Sequence, residues 1–199
     1  VFWMLKDLMG QDASDAGMQD FIRRFKDGPD YPLLQDFLVV MREHAPDKEA
    51  FDAFAKQWFW DVVLPEFTIA QAETQQADGR WSTQVTLTNK GTGTMPVTVA
   101  VTNGKSRWGA EQDARAKQCT ANPEYADART VATVGPGQTV TVHVASDWEP
   151  ARVVVDPDVR VLQRGRKDAE ADVTRGSSAA SATAASAAPP TPASAATGG

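Results

Sequence analysis

Two histidines are the first residues in this sequence that could do chemistry, since a neutral imidazole binds metals and transfers protons near neutral pH. The helical pattern around His44 places it at a helix C-terminus, where a positive charge is favourable. His143 alternates with valines, which places it on the polar face of a strand. We expect the two side chains in different structural units, and the sequence therefore predicts no shared metal site.

Three further motifs have both a chemical and a structural interpretation. Cys119 has neither a His nor a second Cys near it in sequence, which favours an ordinary loop thiol over a nucleophile or a metal ligand. The Gly-Thr-Gly at 91–93 predicts a hairpin turn rather than a phosphate-binding loop, because no helix follows it. Asp156 and Asp158 flank a proline. Two carboxylates fall far short of the roughly six to eight oxygens that surround calcium, so this motif predicts a turn.

Known catalytic motifs are absent from the sequence. It contains no H-E-x-x-H, C-x-x-C, G-x-S-x-G, Walker loop or G-x-G-x-x-G. The sequence by itself therefore predicts no catalytic, cofactor-binding or metal-binding residue in this chain.

Composition excludes several classes of partner. A net charge of −6 and a pI near 4.9 argue against nucleic-acid binding, which needs a clustered basic face. No apolar run approaches the roughly 20 residues of a transmembrane helix, so we expect no membrane span in this chain. The single cysteine excludes an internal disulfide. Because the chain opens at Val1 within a helical pattern, we expect it to be a fragment that begins inside a helix.

Apolar residues recur with helical period through the first third of the chain. In the segment 51–67 they form a stripe that ends before Pro65, which lacks a backbone N–H and favours extended backbone before it. Three shorter helices precede it: one over 1–9, one with an N-cap at Asp12, and one that begins near Asp30. We expect these stripes to be core rather than a cofactor site; they comprise Val1, Leu5, Leu8 and Met9; Met18, Phe21, Ile22 and Phe25; Leu34, Phe37, Leu38 and Met41; and Phe51, Phe54, Ala55, Trp58, Phe59 and Val62.

After Phe67 the apolar residues alternate with period two, which indicates β-strands. Residues 105–128 have no clear period. Turn-forming residues separate the other strands. The alternating segments are 67–69, 81–87, 95–101, the region around Val131, 140–144, 153–155 and 159–162. Several short strands without helices between them predict an antiparallel β-sandwich of immunoglobulin-like type.

The sequence thus predicts an α+β fold of two units followed by a tail. The helical unit spans 1–65 and contains four helices, and the β-sandwich spans 66–163. Residues 164–199 are charged at first and then almost wholly Ala, Ser, Thr, Pro and Gly. Such a segment has too little apolar bulk to offset chain entropy, so we expect it to be disordered.

Four segments resemble a known family. VFWMLKDLMG (1–10) and FAKQWFWDVVLPEF (54–67) are similar to helices that follow the catalytic centre in gluzincin zinc aminopeptidases of the aminopeptidase N-like family. VTLTNKGTGTMPV (85–97) and ARVVVDPDVRVL (151–162) are similar to strands of the β-sandwich that comes next in that family. In detail the chain most resembles bacterial relatives in which the peptidase domain is fused behind an ABC-type membrane permease.

The resemblance implies that this chain is the C-terminal structural part of a zinc metallopeptidase. The family's H-E-x-x-H, its distal Glu ligand and its catalytic Tyr would all lie upstream of Val1, so no catalytic or metal residue carries over. The isolated chain is expected to be inactive and to hold no zinc, although zinc is implied for the parent. Its partners would be the missing catalytic domain and, through it, a peptide substrate. The parent would be attached to a membrane through its permease.

The resemblance also gives an expectation for Trp60. This residue lies opposite the apolar stripe of the fourth helix, at 100° per residue. We therefore expect it to meet either the sandwich or a surface of the missing domain.

Two alternatives remain open. The first is a non-catalytic β-sandwich module that binds peptide or carbohydrate, for which Trp81, Trp108 and Trp148 could serve as aromatic platforms. The second is a permease-associated protein whose peptidase domain has lost its zinc. Within these residues the second alternative is indistinguishable from a peptidase.

Overall fold

The computed structural model describes residues 1–28, 31–107 and 121–176. These residues form a helical unit followed by two β-sheets, as the sequence predicts. The helices are α1 (Phe2–Met9), α2 (Gln11–Phe25), α3 (Leu34–His44) and α4 (Lys48–Ala55), and α4 continues as a π-helical segment, Lys56–Trp60. None of the helices described is long and apolar enough to cross a membrane.

The helix boundaries differ from the predicted ones at three points. Gly10, at φ +80°, precedes α2 directly, so the predicted N-cap Asp12 lies inside the helix. The third helix begins at Leu34, where Asp36 accepts a hydrogen bond from the Leu33 N–H at 2.8 Å; Asp30 lies outside the described residues. The fourth helix ends at Trp60, where the chain turns extended, so Val62 is 97% exposed rather than part of the buried stripe.

The apolar stripe predicted for α2 is wrong in part. Met18 and Ile22 are 41% and 54% exposed, whereas Ser14 and Gly17 are buried. A Cβ on Gly17 would lie 2.8 Å from the Met41 Sδ, so α2 approaches α3 at the face that carries its smallest side chains. Met18 and Ile22 lie beside that face and therefore stay partly exposed to solvent.

The helical unit has its own small core, as predicted for amphipathic helices. Phe21 and Phe37 pack edge to face, with ring centroids 5.4 Å apart. The buried residues of this core are Leu5, Met9, Phe37, Leu38, Met41, Ala45, Phe51 and Ala55.

The described residues of the second half of the chain form a β-sandwich of two four-stranded sheets. The strands are β1 (Phe67–Ala77), β2 (Arg80–Asn89), β3 (Met95–Thr102), β4 (Asp127–Val134), β5 (Thr139–Ser146), β6 (Arg152–Val155), β7 (Glu170–Asp172) and β8 (Thr174–Arg175). One sheet has the order β5-β2-β1-β8 and the other β4-β3-β6-β7. All pairs are antiparallel except β1 with β8, which is parallel.

Valines from both sheets fill the space between them, as the period-two pattern predicts. Val97, Val99 and Val101 of β3 are at most 1% exposed, while Val131 on the edge strand β4 is 64% exposed. The predicted strand over 159–162 does not form. Instead, Val159 adopts φ +57° and is 67% exposed.

The predicted boundary of the disordered tail is also wrong. Residues 164–176 are ordered: a short 3-10 helix (Arg166–Ala169) precedes β7 and β8, which add one strand to each sheet. Ala169 is fully buried, and the Gly176 N–H donates to the Thr74 carbonyl at 2.9 Å. Main-chain pairing with an edge strand needs no apolar bulk, which is why composition alone missed it. The remainder of the predicted tail, 177–199, lies outside the described residues.

Candidate functional site at the junction of helices and sandwich

The linker between the two units lies along the β2–β3 turn and pairs with it like an extra strand. The Leu64 N–H donates to the Thr92 hydroxyl at 2.9 Å, and the Thr92 N–H donates back to the Leu64 carbonyl at 3.1 Å. Two residues on, the Lys90 N–H donates to the Glu66 carbonyl at 2.7 Å. Pro65, between them, has no N–H to satisfy, so it suits this position.

Asn89 is the centre of this pairing. Its side chain is fully buried, and its carbonyl oxygen accepts from the Glu66 N–H at 3.1 Å and from the Gly91 N–H at 3.0 Å. Its amide group donates to the Gly93 carbonyl at 3.0 Å. One side chain thus holds both the turn and the linker, a role that a short amide can fill because it donates and accepts at once.

Gly91 allows the close approach of turn and linker. A Cβ at this position would lie 2.2 Å from the Leu64 carbonyl oxygen and 2.6 Å from the Glu66 nitrogen, both main-chain atoms. The predicted Gly-Thr-Gly turn is therefore present. Its first glycine is needed because the linker main chain packs directly against it, not because it binds a phosphate.

A second link comes from the π-helical segment. The Gln57 amide donates to the Thr94 carbonyl at 3.0 Å and accepts from the Thr94 N–H at 2.9 Å. The Asp61 N–H donates to the Lys56 carbonyl at 2.9 Å, the five-residue spacing of a π-turn. This segment therefore presents Gln57 to the beginning of β3.

The cores of the two units meet at this junction. Met4 and Trp58, both 8% exposed, belong to the same buried cluster as the sandwich valines. Phe54 and Phe59 pack against that cluster and also against the helical core. The helical unit and the sandwich are thus joined by apolar packing as well as by hydrogen bonds.

A groove of about 590 Å³ opens beside the junction. Its walls come from α1, α4, the start of β3 and the loop that follows β6. Most of the lining is apolar and includes Met4, Leu8, Phe54, Trp58, Met95 and Val161. Asp7 and Arg160 also border the groove, and they form an ion pair 2.5 Å long.

The Asp-Pro-Asp motif forms a turn, as predicted, and anchors one wall of the groove. Asp156 is 3% exposed and accepts from the N–H groups of Arg160 and Val161 at 2.8 and 2.9 Å. The Arg166 guanidinium donates to the same carboxylate at 3.0 Å. These bonds occupy Asp156 with structural partners and fix the loop that carries Arg160.

Asp158 points to the other side of this turn. It accepts from Arg107 and from Arg129, each at 2.5 Å. The hydrogen bonds from Arg129 and Arg107 lower the pKa of Asp158 below its ordinary value, so the carboxylate stays ionised into the acid range. The motif thus ties β4 and the segment after β3 to the end of β6.

The two histidines lie in different units, as predicted. His44 is the last residue of α3, and its Nε2 lies 2.9 Å from an Asp20 oxygen on α2. This contact, followed by that with Arg24, lowers the pKa of Asp20. His143 is exposed on β5, opposite Gln84 of β2. Within the described ranges no three His, Cys, Asp or Glu side chains are grouped to hold a metal; Cys119 lies outside those ranges.

The proposed aromatic platforms are at most partly available. The Arg175 guanidinium lies 5.6 Å from the ring centroid of Trp81. It therefore covers part of the Trp81 ring. Trp148 packs against the sandwich core, and Trp108 lies outside the described residues. Trp60 is 56% exposed, so the sandwich does not cover it; its contact with a missing domain stays a prediction.

No family model matches this chain, and no curated protein matches it. Among solved structures, it is similar to the CARDB domain of the PF1109 protein from Pyrococcus furiosus, solved in complex with di-metal ions. The identity is 13%, the match covers 60% of this chain and 97% of that one, and the TM-score is 0.35. It is also similar to DesR, a beta-glucosidase from Streptomyces venezuelae, at 16% identity and a TM-score of 0.33, covering 55% of this chain and 15% of the enzyme. Similarities this low carry no argument about function.

Sequence reasoning selected Phe54, Trp58 and Asp156 as structural residues, but it did not identify the polar residues that join the two units and border the groove. Gln57, Asn89, Asp7 and Arg160 have ordinary types at ordinary spacings, and each acts through a partner distant in sequence. A sequence signal was present for Asn89, because an Asn two residues before Gly91-Thr92-Gly93 is typical of a turn that is held by the Asn side chain.

Proposed function

We propose that this chain is a non-catalytic β-sandwich module whose role is to hold a helical segment in a fixed position. In this proposal the sandwich is of immunoglobulin-like type and serves as a scaffold. The observation that carries the proposal is the shared core, in which Met4 and Trp58 of the helical unit are buried with the sandwich valines. The pairing of the linker with the β2–β3 turn supports it further, because two independent kinds of contact restrain the same junction.

The proposal is tested by asking whether damage to the sandwich loosens the helices. Val97 on β3 is 1% exposed, and Val97→Ala removes core volume, at a cost of about 1 to 3 kcal/mol. Hydrogen exchange of the α1 and α4 amides should then accelerate together with that of the strands. Val131→Ala makes the same chemical change at a 64% exposed position and serves as the control. If α1 and α4 keep their protection in Val97→Ala, the sandwich is not their scaffold.

We propose as a second, finer function that the chain is the C-terminal scaffold of a zinc aminopeptidase of the gluzincin type. The residues that carry the family resemblance at 54–67 include Trp58, which is buried with the sandwich valines, and Phe54 and Phe59, which pack against the same cluster. This overlap supports the hypothesis that the family has the same contact between its last helix and its β-sandwich. Zinc and peptide hydrolysis would then belong to residues upstream of Val1.

Three measurements test this finer proposal. The dialysed chain should contain no stoichiometric zinc and should release no fluorogenic amine from alanyl or leucyl substrates. Turnover that a chelator abolishes would mean that the chain has its own active site and would overturn both proposals. The gene upstream of Val1 should encode H-E-x-x-H and a downstream Glu; an upstream region without them would exclude an active zinc peptidase and leave the scaffold role intact.

A further inference from the structure

Each of the three asparagines in the sequence forms a turn with its own side chain. The side-chain oxygen accepts a hydrogen bond from the main-chain N–H two residues further on, and the ring closed by this bond contains both the side-chain carbonyl carbon and the nitrogen of the next residue. The asparagines and their donors are Asn89 with Gly91 at 3.0 Å, Asn103 with Lys105 at 3.2 Å and Asn122 with Glu124 at 3.0 Å. The residue that follows the asparagine differs in each turn.

In two of the turns the next nitrogen is not available for reaction. Asn122 is followed by Pro123, whose nitrogen has no hydrogen to lose. Asn89 is buried and is followed by Lys90, whose N–H donates to the Glu66 carbonyl at 2.7 Å. That nitrogen would have to break a short hydrogen bond before it could attack the Asn89 side chain.

The turn at Asn103 has an available nitrogen. Gly104 is exposed and has no side chain to hinder the approach of its nitrogen to the Asn103 carbonyl carbon. Its N–H makes a long hydrogen bond, 3.3 Å, to the Thr102 hydroxyl. The Lys105 N–H, which donates to the Asn103 side-chain oxygen, would stabilise the negative charge that this oxygen gains when its carbonyl carbon is attacked.

We propose that Asn103 is a site of self-modification, at which the Gly104 nitrogen attacks the Asn103 side-chain carbonyl carbon. The new C–N bond closes a succinimide ring, the bond from that carbon to Nδ2 breaks, and the proton of the Gly104 nitrogen passes through water to the departing ammonia. One water molecule then opens the ring to aspartate or iso-aspartate. In total one water is consumed and one ammonia is released, with no oxidant or reductant.

The modification changes the contacts of the turn. The Asn103 amide group donates to the Glu124 carbonyl at 2.7 Å, and a carboxylate in its place has no hydrogen to donate. Iso-aspartate also adds a carbon to the main chain directly after β3, next to the N–H that donates to the Ala126 carbonyl at 3.2 Å. Modified chains should therefore lose part of the connection between the end of β3 and the segment before β4. The reaction is independent of the scaffold role, because it depends on this turn and not on the junction with the helices.

The test follows the folded, unaltered chain during incubation at mildly alkaline pH, where the Gly104 nitrogen loses its proton more readily. Trypsin separates the three asparagines into peptides 81–90, 91–105 and 118–129, and mass spectrometry with isoaspartyl methyltransferase labelling locates the product. Iso-aspartate should form at Asn103 at least roughly tenfold faster than at Asn89, the factor that one intact backbone hydrogen bond gives, and it should not form at Asn122. Equal modification of Asn89 and Asn103, or an intact Asn103 after the urea-unfolded chain has lost this amide, would overturn the proposal.

A Lys90→Gly variant shows whether structure or sequence selects the site. It gives Asn89 the same following residue as Asn103 but leaves the main-chain hydrogen bond to the Glu66 carbonyl in place. Lys90 is exposed, so the fold should be retained, and a melting curve sets the incubation temperature below the midpoint of both chains. Asn89 should still react at least roughly tenfold more slowly than Asn103. If Asn89 reacts as fast as Asn103 in this variant, the sequence alone decides, and the selection of Asn103 by the structure is refuted.

Discussion

Replacement of Asn89 by alanine should loosen the junction between the helices and the sandwich. The side chain is fully buried, and the change removes its bonds to the Glu66 N–H, the Gly91 N–H and the Gly93 carbonyl. A buried polar group left without a partner costs about 1 to 3 kcal/mol. Because the three groups lie near the surface of the turn and water can reach some of them, we take the low end for each, which gives about 3 kcal/mol in total.

The assay is thermal unfolding followed by circular dichroism. A loss of about 3 kcal/mol lowers the midpoint by roughly 6 to 12 °C in a domain of this size. Asn103→Ala is the matched control, because Asn103 also holds a turn, through the Lys105 N–H at 3.2 Å and the Glu124 carbonyl at 2.7 Å, but its bonds are exposed. The control should lose about 1 kcal/mol or less.

The comparison between the two asparagines decides whether this reasoning holds. Equal losses in Asn89→Ala and Asn103→Ala would mean that water replaces the Asn89 amide and that the linker is held by its other hydrogen bonds and by apolar packing. A loss in Asn89→Ala that is confined to the strands, with unchanged exchange of the linker amides, would refute the role assigned to the Glu66 contact.

Three further predictions concern the chain end and the titrating groups. A chain ending at Gln163 should melt several degrees below one ending at Gly176, because it lacks β7, β8 and the buried Ala169. Asp158→Asn should flatten the acid limb of the stability–pH curve: the folded-state pKa of Asp158 lies below the ordinary 3.8, so its stabilisation is present above that pH and is lost as the pH falls through the folded pKa. In Tyr31→Phe, which leaves Tyr125 as the sole tyrosine, absorbance at 295 nm should titrate near pH 12, because burial and donation to Asp127 raise its pKa to about 12.

Each of these predictions has a clear contrary result. Equal melting of the two shortened chains would mean that residues 164–176 contribute nothing to stability. An unchanged acid limb in Asp158→Asn would mean that its arginine contacts are equally strong in the unfolded chain. A tyrosine midpoint near the ordinary value of 10.0 would show that Tyr125 is open to solvent.

Much of the architecture followed from local pattern. The helical period over the first helices and the alternation after Phe67 depend only on which side chains are buried. A helix brings side chains to the same face about every 3.6 residues and a strand does so every two residues, so each pattern identifies its element. For that reason the four helices, the strand faces around Val97 and His143, and the Asp156–Asp158 turn were all predictable. The resemblance to gluzincin aminopeptidases adds a hypothesis about the parent that local pattern cannot supply.

The remaining features depend on contacts between distant residues. The face that α2 presents is decided by the close approach of Met41 at Gly17, and the apolar residues Met18 and Ile22 stay exposed for that reason. Residues 164–176 are ordered because edge strands of both sheets offer main-chain partners, which composition does not record.

The candidate site is the feature that only the tertiary structure could decide. The groove exists because α1, α4, the start of β3 and the loop after β6 meet around it. Asp7 and Arg160 form its rim although 153 residues separate them in the chain. Sequence periodicity indicates which side chains of an element are buried. A groove is a gap between elements, so its position depends on how those elements pack against one another.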